Sequence, residues 1–299
     1  MADKAPVAVV IPTYNRGSAV VSVLGKVLAC DPQPAEIWVH IDQNDGALER
    51  HLMERFPGVH ILTSAGRLGP GGGRHRCLLA CSAPYAVSLD DDSWPVDADF
   101  FAIVVRLFLE HRGTAIFSAH VQHRGEPDSL RTDALRRVPN FIGCGHAIRL
   151  AAYREVRGYL PVPVSYEIEE ADLSLQLFRT EWTIYESGEL RVFHDTDLVH
   201  HKSAEITSAG ITNLALNAFL HYPLLAWGWA SVQVAGKVAY CARMGRVSGI
   251  AQGVLRIPGA CWRNRRFRRP VSLRTLISYL TFRRTDQVFR RKAAARARG

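Results

Sequence analysis

Short apolar runs alternate with stretches of helical spacing through the first two hundred residues. Residues 7–11 (Val-Ala-Val-Val-Ile) form an unbroken apolar run, the pattern of a strand buried on both faces rather than on one. Residues 18–29 then place apolar side chains at helical spacing, with Ser18 as the expected N-cap. The alternation continues with a strand over 37–42, a helix over 48–56 and a strand over 59–62. A glycine-rich loop is expected to lead into a helix over 72–82, followed by a strand over 85–89. Further on, the spacing predicts a helix over 99–111, strands over 115–122 and 141–148, a short helix over 151–156 closed by Gly158, and a loop over 159–166. An amphipathic helix over 169–180 and two short strands, 183–186 and 191–193, lead to His194. Such alternation predicts an α/β fold: a mostly parallel central sheet flanked by helices. Ligands of such sheets bind beyond the carboxyl ends of the strands. Residues 12–16, Asp42 and 90–92 all fall at such ends.

The pattern changes after residue 213. Residues 214–242 are apolar and aromatic, with Trp227, Trp229 and Tyr240, but His221, Pro223, Gln233 and Lys237 interrupt them. No clean run of about 20 residues exists for a membrane span. Two readings stay open for this stretch: it closes the core of the preceding body, or it lies on a membrane surface. Charge favours the second. Of the 299 residues, 37 are Lys or Arg and 28 Asp or Glu, yet residues 237–299 hold 17 of the bases and one acid, Asp286. That segment carries +16 and the preceding 236 residues −7. A mildly acidic body followed by an intensely basic extension predicts two parts: 1–213, with halves 1–98 and 99–213, and a helical basic extension, 214–299, suited to an anionic membrane surface. The extension interleaves Trp262 and Phe267 with arginines, but no nucleic-acid-binding motif accompanies them, and nucleic acid is not the expected partner. Six scattered cysteines with no C-x-x-C pair read as buried hydrophobes in a reducing compartment. The first residues lack the apolar region of a signal peptide. The expectation is a cytoplasmic protein peripheral to the inner face of the cell membrane.

The run Leu89-Asp90-Asp91-Asp92 closes an apolar strand with three adjacent carboxylates. They repel one another and resist desolvation. Taken alone, the run fits either a solvated acidic turn or a cleft that holds Mg2+ or Mn2+, hard ions that take oxygen ligands. Residues 69–73 are glycine-rich but lack the Gly-Lys-Ser/Thr ending of a P-loop, so an ATPase is not supported.

The order of these pieces decides between the readings. Ile11-Pro12-Thr13-Tyr14-Asn15-Arg16, Val39-His40-Ile41-Asp42, the segment 67–74, Leu89 to Asp92, Gly143-Cys144-Gly145-His146, Glu169-Glu170-Ala171-Asp172-Leu173 and Arg191-Val192-Phe193-His194 follow one another along residues 7–200. In this arrangement the chain resembles a family 2 glycosyltransferase, a nucleotide-sugar-binding enzyme of GT-A fold; the last third lies outside the resemblance. The resemblance implies transfer of a sugar, with inversion, from a UDP- or dTDP-linked donor to a hydroxyl of a glycan or lipid-linked glycan. It also implies a role in surface polysaccharide synthesis, with a hexosyl or rhamnosyl group as the cargo. It assigns donor binding to Pro12, Thr13, Tyr14, Arg16, Asp42, Gly69, Arg74, Asp90 and Asp91. Asp42 would accept the N3–H of the base, and Arg74 would offer a charge to the pyrophosphate. The metal would be held by Asp92, Asp90 and His194. The proton of the acceptor would go to Glu170, in a cluster with Glu169 and Asp172.

Each assignment has a plainer counterpart. Asp42 precedes Asn44-Asp45-Gly46 and can serve a turn. His194 can be a core histidine, with His200 and His201 as competitors, and the acids at 169–172 can complement a helix dipole. Three positions depart from the family: Arg67 and His75 stand where Asn is usual, and Glu170 where Asp is usual. A catalytically inactive nucleotide- or carbohydrate-binding scaffold is the alternative function.

Overall fold

The computed structural model describes residues 4–164, 168–196 and 203–296. The chain divides into two compact units, Met1–Pro163 with Thr180–Thr196, and Val164–Arg179 with Asp197–Gly299.

The first unit is built on a sheet of nine strands among the described residues. Strands β1 (Ala5–Thr13), β2 (Pro34–Asp42), β3 (His60–Ser64) and β4 (Tyr85–Ser88) lie in the order β3-β2-β1-β4, all parallel. Helices α1 (Gly17–Leu28), α2 (Gly46–Arg55) and α3 (Gly69–Ala80) connect them. In β1 every residue but Pro6 is buried, as its unbroken apolar run requires once helices cover both faces. On one face Val7, Val9 and Ile11 share a core with Val20, Val23, Leu24 and Val27 of α1 and with Phe100, Val104, Leu107 and Phe108 of α4 (Phe100–Glu110). Each such fully buried side chain contributes about 1.5–3 kcal/mol, so the sheet unit has its own stabilising core.

Beyond β4 the sheet is mixed. Strands β5 (Ser93–Pro95), β6 (Thr114–His123), β7 (Leu135–Arg137), β8 (His146–Arg149) and β9 (Thr183–His194) continue it as β4-β8-β6-β9-β5, with β7 also on β9. Only β6 and β9 pair in parallel there. A short helix, α5 (Leu150–Arg154), follows β8.

Three local expectations are corrected. The two strands expected at 183–186 and 191–193 are one strand, β9. Ala119 pairs with Ser187 but His120 with Arg191, so Gly188–Leu190 bulge out and the interruption in the pattern becomes a kink. The glycine-rich segment is no loop, because α3 begins at Gly69. Ser18 lies inside α1, and Arg16 takes the N-cap position without a side-chain hydrogen bond. The loop expected over 159–166 lies within the described residues only as far as 164.

The second unit is helical: α6 (Glu169–Phe178), α7 (Ala204–His221), α8 (Trp227–Arg243), α9 (Ile250–Arg263) and α10 (Leu273–Arg296). Leu175, Ala218, Tyr222, Ala226, Val271, Leu276 and Tyr279 form a core within it. The compositional boundary at residue 213 falls inside α7, whose earlier residues Thr207, Ser208 and Thr212 are already buried. Thr212 Oγ1 donates to Ser208 O at 2.9 Å and to Gly253 O of α9 at 2.8 Å. Among the described residues no helix is long and apolar enough to cross a membrane.

Candidate active site

Two adjacent parallel strands, β1 and β4, end side by side and deliver the polar cluster of the sheet unit. After β4 the chain turns tightly: Ser93 N–H donates to Asp90 O at 3.1 Å, and Asp90 N–H donates to Ser93 Oγ at 2.8 Å. That turn holds three carboxylates in different surroundings. Asp91 accepts from Thr13 Oγ1 at 2.8 Å and from Arg16 Nη1 at 2.9 Å. Arg16 Nη1 also lies 2.9 Å from Asp92 Oδ2. Asp90 pairs with the buried guanidinium of Arg74, which donates through Nε to Ser88 Oγ at 2.8 Å.

His194 completes the cluster from the end of β9. Its Nε2 lies 3.1 Å from Asp92 Oδ1 and 3.8 Å from Asp90 Oδ2. The pairing of Ser93 with His194 and the bond from Asp195 N–H to Asp92 O, 2.8 Å, fix this placement through the backbone. Against the other ring nitrogen, Nδ1, sits the Cys144 sulfur at 3.6 Å. Asp90, Cys144 and His194 each offer a ligand atom within 4.8 Å of the others.

Cys144 is the residue that sequence reasoning missed. Its type alone fits a small buried hydrophobe, yet its flanking glycines carry a signal. Gly145 has φ 74°, and a Cβ there would stand 2.5 Å from Val192 Cγ2, so only glycine fits. Gly145 N–H donates to Ser88 O at 2.7 Å, which ties the Cys144 loop to the end of β4. His146 anchors the same loop through Nδ1, 2.7 Å from Gly143 O.

Three carboxylates in one turn are tolerable because cations face them. Burial pushes the Asp91 carboxyl up to about 6 in spite of Arg16 and Thr13, with Asp92 and Asp90 adding to the rise. Burial also pushes Asp92 up, but the hydrogen bond and charge of His194, with Arg16, outweigh it and hold that carboxyl below its ordinary value. The His194 imidazole is raised in turn: burial lowers it, and Asp92 and Asp90 more than compensate. Oxygens of Asp90 and Asp92 with one imidazole nitrogen form a donor set that suits Mn2+ or Mg2+; the Cys144 thiol adds a softer donor.

The other residues assigned from the sequence divide between the units. Asp42 is buried at the end of β2 and accepts from Ser64 Oγ at 2.8 Å, Leu68 N–H at 2.9 Å and Gly69 N–H at 2.9 Å. It therefore caps the N-terminus of α3, and the Gly69 amide is committed to it. The next glycines serve packing: a Cβ on Gly73 would stand 2.6 Å from His40 Nδ1 and 3.1 Å from Pro12 Cβ. Tyr14, half-buried past the end of β1, carries the Arg67 guanidinium 4.8 Å above its ring. Glu169, Glu170 and Asp172 open α6 in the helical unit. There Asp172 is fully buried, 2.7 Å from His221 Nε2 and 3.1 Å from Gln176 Nε2. Glu169 is buried and Glu170 half-buried. His200 and His201, the competitors of His194, lie outside the described residues.

Residues 8–156 match the domain described as Glycosyl transferase family 2. No curated protein matches the sequence. Among solved structures the chain is similar to the mannosyltransferase PcManGT from Pyrobaculum calidifontis, in complex with GDP-Man and Mn2+, at 14% identity and a TM-score of 0.56, over 95% of this chain and 88% of that one. It is similar to GalNAc-T7 with UDP, GalNAc and Mn2+ at 15% identity and a TM-score of 0.60, over 75% of this chain and 49% of that one. It is also similar to residues 1–349 of TarS from S. aureus, in complex with UDP-GlcNAc, at 13% identity and a TM-score of 0.53, over 70% and 66%. Identities this low carry the fold, and the fold is the mixed α/β sheet of GT-A glycosyltransferases. Residues 8–156 of this chain are a glycosyl transferase family 2 domain.

Proposed function

We propose that the protein is a metal-dependent, inverting glycosyltransferase. It moves a sugar from a uridine or thymidine diphosphate donor to a hydroxyl of a glycan or lipid-linked glycan, in the assembly of a surface glycan. One observation carries the reading: Asp90 and Asp92, in the turn between β4 and β5, converge with His194 at the end of β9, and Thr13, Arg16 and Arg74 brace the acids. The nucleotide sugars or nucleotides in the three similar structures, two of them with Mn2+, support the same chemistry.

Asp90, Asp92 and His194 would hold the ion. Bound there, it neutralises the charge that builds on the departing diphosphate. Arg16, half-exposed beside Asp91 and Asp92, is placed to follow a phosphate. Tyr14 and Arg67 offer a flat, cationic edge to a nucleobase. Glu170 acts as base. The acceptor hydroxyl gives its proton to a Glu170 carboxylate oxygen, and its oxygen bonds to the anomeric carbon. The bond from that carbon to the diphosphate oxygen breaks, and the electron pair leaves with the diphosphate. Attack from the opposite face inverts the anomeric centre without a covalent intermediate. Six free cysteines, five of them buried, fit a reducing, cytoplasmic setting.

Release of nucleoside diphosphate from UDP-, dTDP- and GDP-sugars, with Mn2+ or with EDTA, tests this. Mn2+-dependent release from a uridine or thymidine donor is expected, lost in Glu170→Gln with the fold retained. No release from any donor, or release indifferent to EDTA, would contradict it.

A further inference from the structure

Helix α9 is amphipathic in an inverted sense. Its small residues Gly253 and Ala260 are the buried ones. A Cβ on Gly253 would stand 2.9 Å from Ser208 O and 3.0 Å from Ile211 Cβ of α7, so the face packed on α7 is chosen for closeness. The larger apolar residues point the other way. Ala251, Val254, Leu255, Pro258 and Trp262 follow one another at helical spacing, and all are exposed. Leu255 is 79% and Trp262 68% exposed.

Helix α8 repeats the anomaly. Of its 17 residues, mostly apolar, only Cys241 is buried. Trp229 and Val232 are exposed, and Leu225, in the turn just before the helix, is 87% exposed. A folded monomer rarely leaves so much aliphatic and indole surface uncovered without a partner.

Charge identifies the partner. Residues 204–290 contain 13 Lys or Arg and two acids, Glu205 and Asp286, and Asp286 is already paired with Arg290 at 2.9 Å. Arg263 and Arg265 follow the apolar stripe at its C-terminal end, and Arg265 stacks on Trp262 at 4.1 Å. A second copy would bring the same uncompensated positive charge to the interface. A nucleic acid would use the arginines but has no use for a Val-Leu-Pro stripe. We propose that α8 and α9 form a docking surface for an anionic lipid bilayer, on which the stripe enters the headgroup–acyl boundary and the arginines meet lipid phosphates. Among the described residues no helix is long and apolar enough to cross a membrane, and the docking proposed is onto the bilayer surface. Vesicle binding needs no sugar donor, so its failure leaves the transferase reading standing, and the reverse holds too.

Co-sedimentation of the full chain with vesicles tests the proposal. One set is pure phosphatidylcholine; the other has one quarter phosphatidylglycerol. Binding to the anionic set only, weakened by salt and accompanied by a blue shift of tryptophan emission, is expected. Leu255→Ser with Trp262→Ser should lower partitioning roughly tenfold or more with an unchanged far-ultraviolet spectrum; Leu255→Ser alone serves if the pair impairs folding. Equal recovery in the supernatant with both vesicle sets overturns the proposal. So does undiminished binding by the variants, self-association that the variants abolish in the absence of lipid, or preferential capture of a single-stranded oligonucleotide over anionic vesicles.

Discussion

His194 Nε2 lies 3.1 Å from Asp92 Oδ1, while the Cys144 sulfur stands 3.6 Å from the opposite nitrogen of the same ring. One imidazole thus joins a hard oxygen donor to a soft sulfur donor. Sulfur favours Zn2+ and Cd2+, whereas carboxylates favour Mn2+ and Mg2+. The expected outcome is inhibition of the Mn2+-supported reaction by low Cd2+ or Zn2+, relieved about tenfold or more in Cys144→Ser with little change in Mn2+ activation. Inhibition titrations at fixed Mn2+ measure it; equal sensitivity of the two proteins would remove Cys144 from the site.

In the helical unit, Asp172 is almost wholly buried and its main partner is His221, 2.7 Å away. Breaking such a pair from one side leaves a buried carboxylate that has lost its imidazole and keeps the neutral Gln176 amide at 3.1 Å, at a cost of about 3–5 kcal/mol. His221→Leu should lose that much by urea denaturation, and His221→Leu with Asp172→Leu should recover most of it. The double variant keeps Glu170, so it also separates a structural Asp172 from a catalytic one.

The close approach of α3 to β2 predicts a packing defect. In Gly73→Ala the new methyl meets the His40 ring at 2.6 Å and Pro12 at 3.1 Å, and His40 is buried without room to withdraw. A loss of about 1–3 kcal/mol is expected, read as a lower denaturation midpoint; an unchanged midpoint would show that α3 is free to shift.

Acid should destabilise the sheet unit before its ordinary carboxylates titrate. Burial lowers the pKa of His40, and burial with the Arg157 charge lowers that of His75, whose Nδ1 lies 2.7 Å from Tyr153 Oη. Their unfolded values are about 6.5. Below that pH the unfolded chain binds protons the folded chain refuses, so stability falls as pH drops. Asp91, raised to about 6, works in the opposite sense from about pH 6 downward and offsets part of the loss. The melting temperature is expected to fall by about 2–4 °C from pH 7 to pH 5.5, and to fall less in His75→Gln. Calorimetry over that range checks it, and a flat profile would contradict it.

Much of this was legible in the sequence, for physical reasons. Residues 7–11 of β1 form a continuous apolar run and β4 is apolar up to Ser88, a pattern that a doubly covered sheet buries, and the polar ends of both strands had to meet at one rim. The acids at 90–92 follow from that rim, whereas His194 beside them follows only from the family resemblance. What failed was whatever depends on distances across the fold. The glycines at 69–73 read as a loop for ligand approach, but two of them, Gly72 and Gly73, are needed for helix-to-strand packing. The strand-end position of Asp42 was legible; its use as a cap on α3, 26 and 27 residues on, was not. Cys144 looked apolar because thiol burial and thiol ligation share one sequence signal. The boundary at 213 followed composition, yet α7 is one continuous helix across it.

The central claim is that Asp90, Asp92 and His194 hold a divalent ion through which the donor diphosphate is gripped. Isothermal titration of UDP, dTDP and GDP into the protein, with and without Mn2+, tests it most directly when repeated on Asp92→Asn. The account predicts binding of a uridine or thymidine diphosphate that requires Mn2+ and weakens about 10- to 100-fold or more in the variant. Nucleotide binding of equal strength without Mn2+, or unchanged in Asp92→Asn, would contradict it.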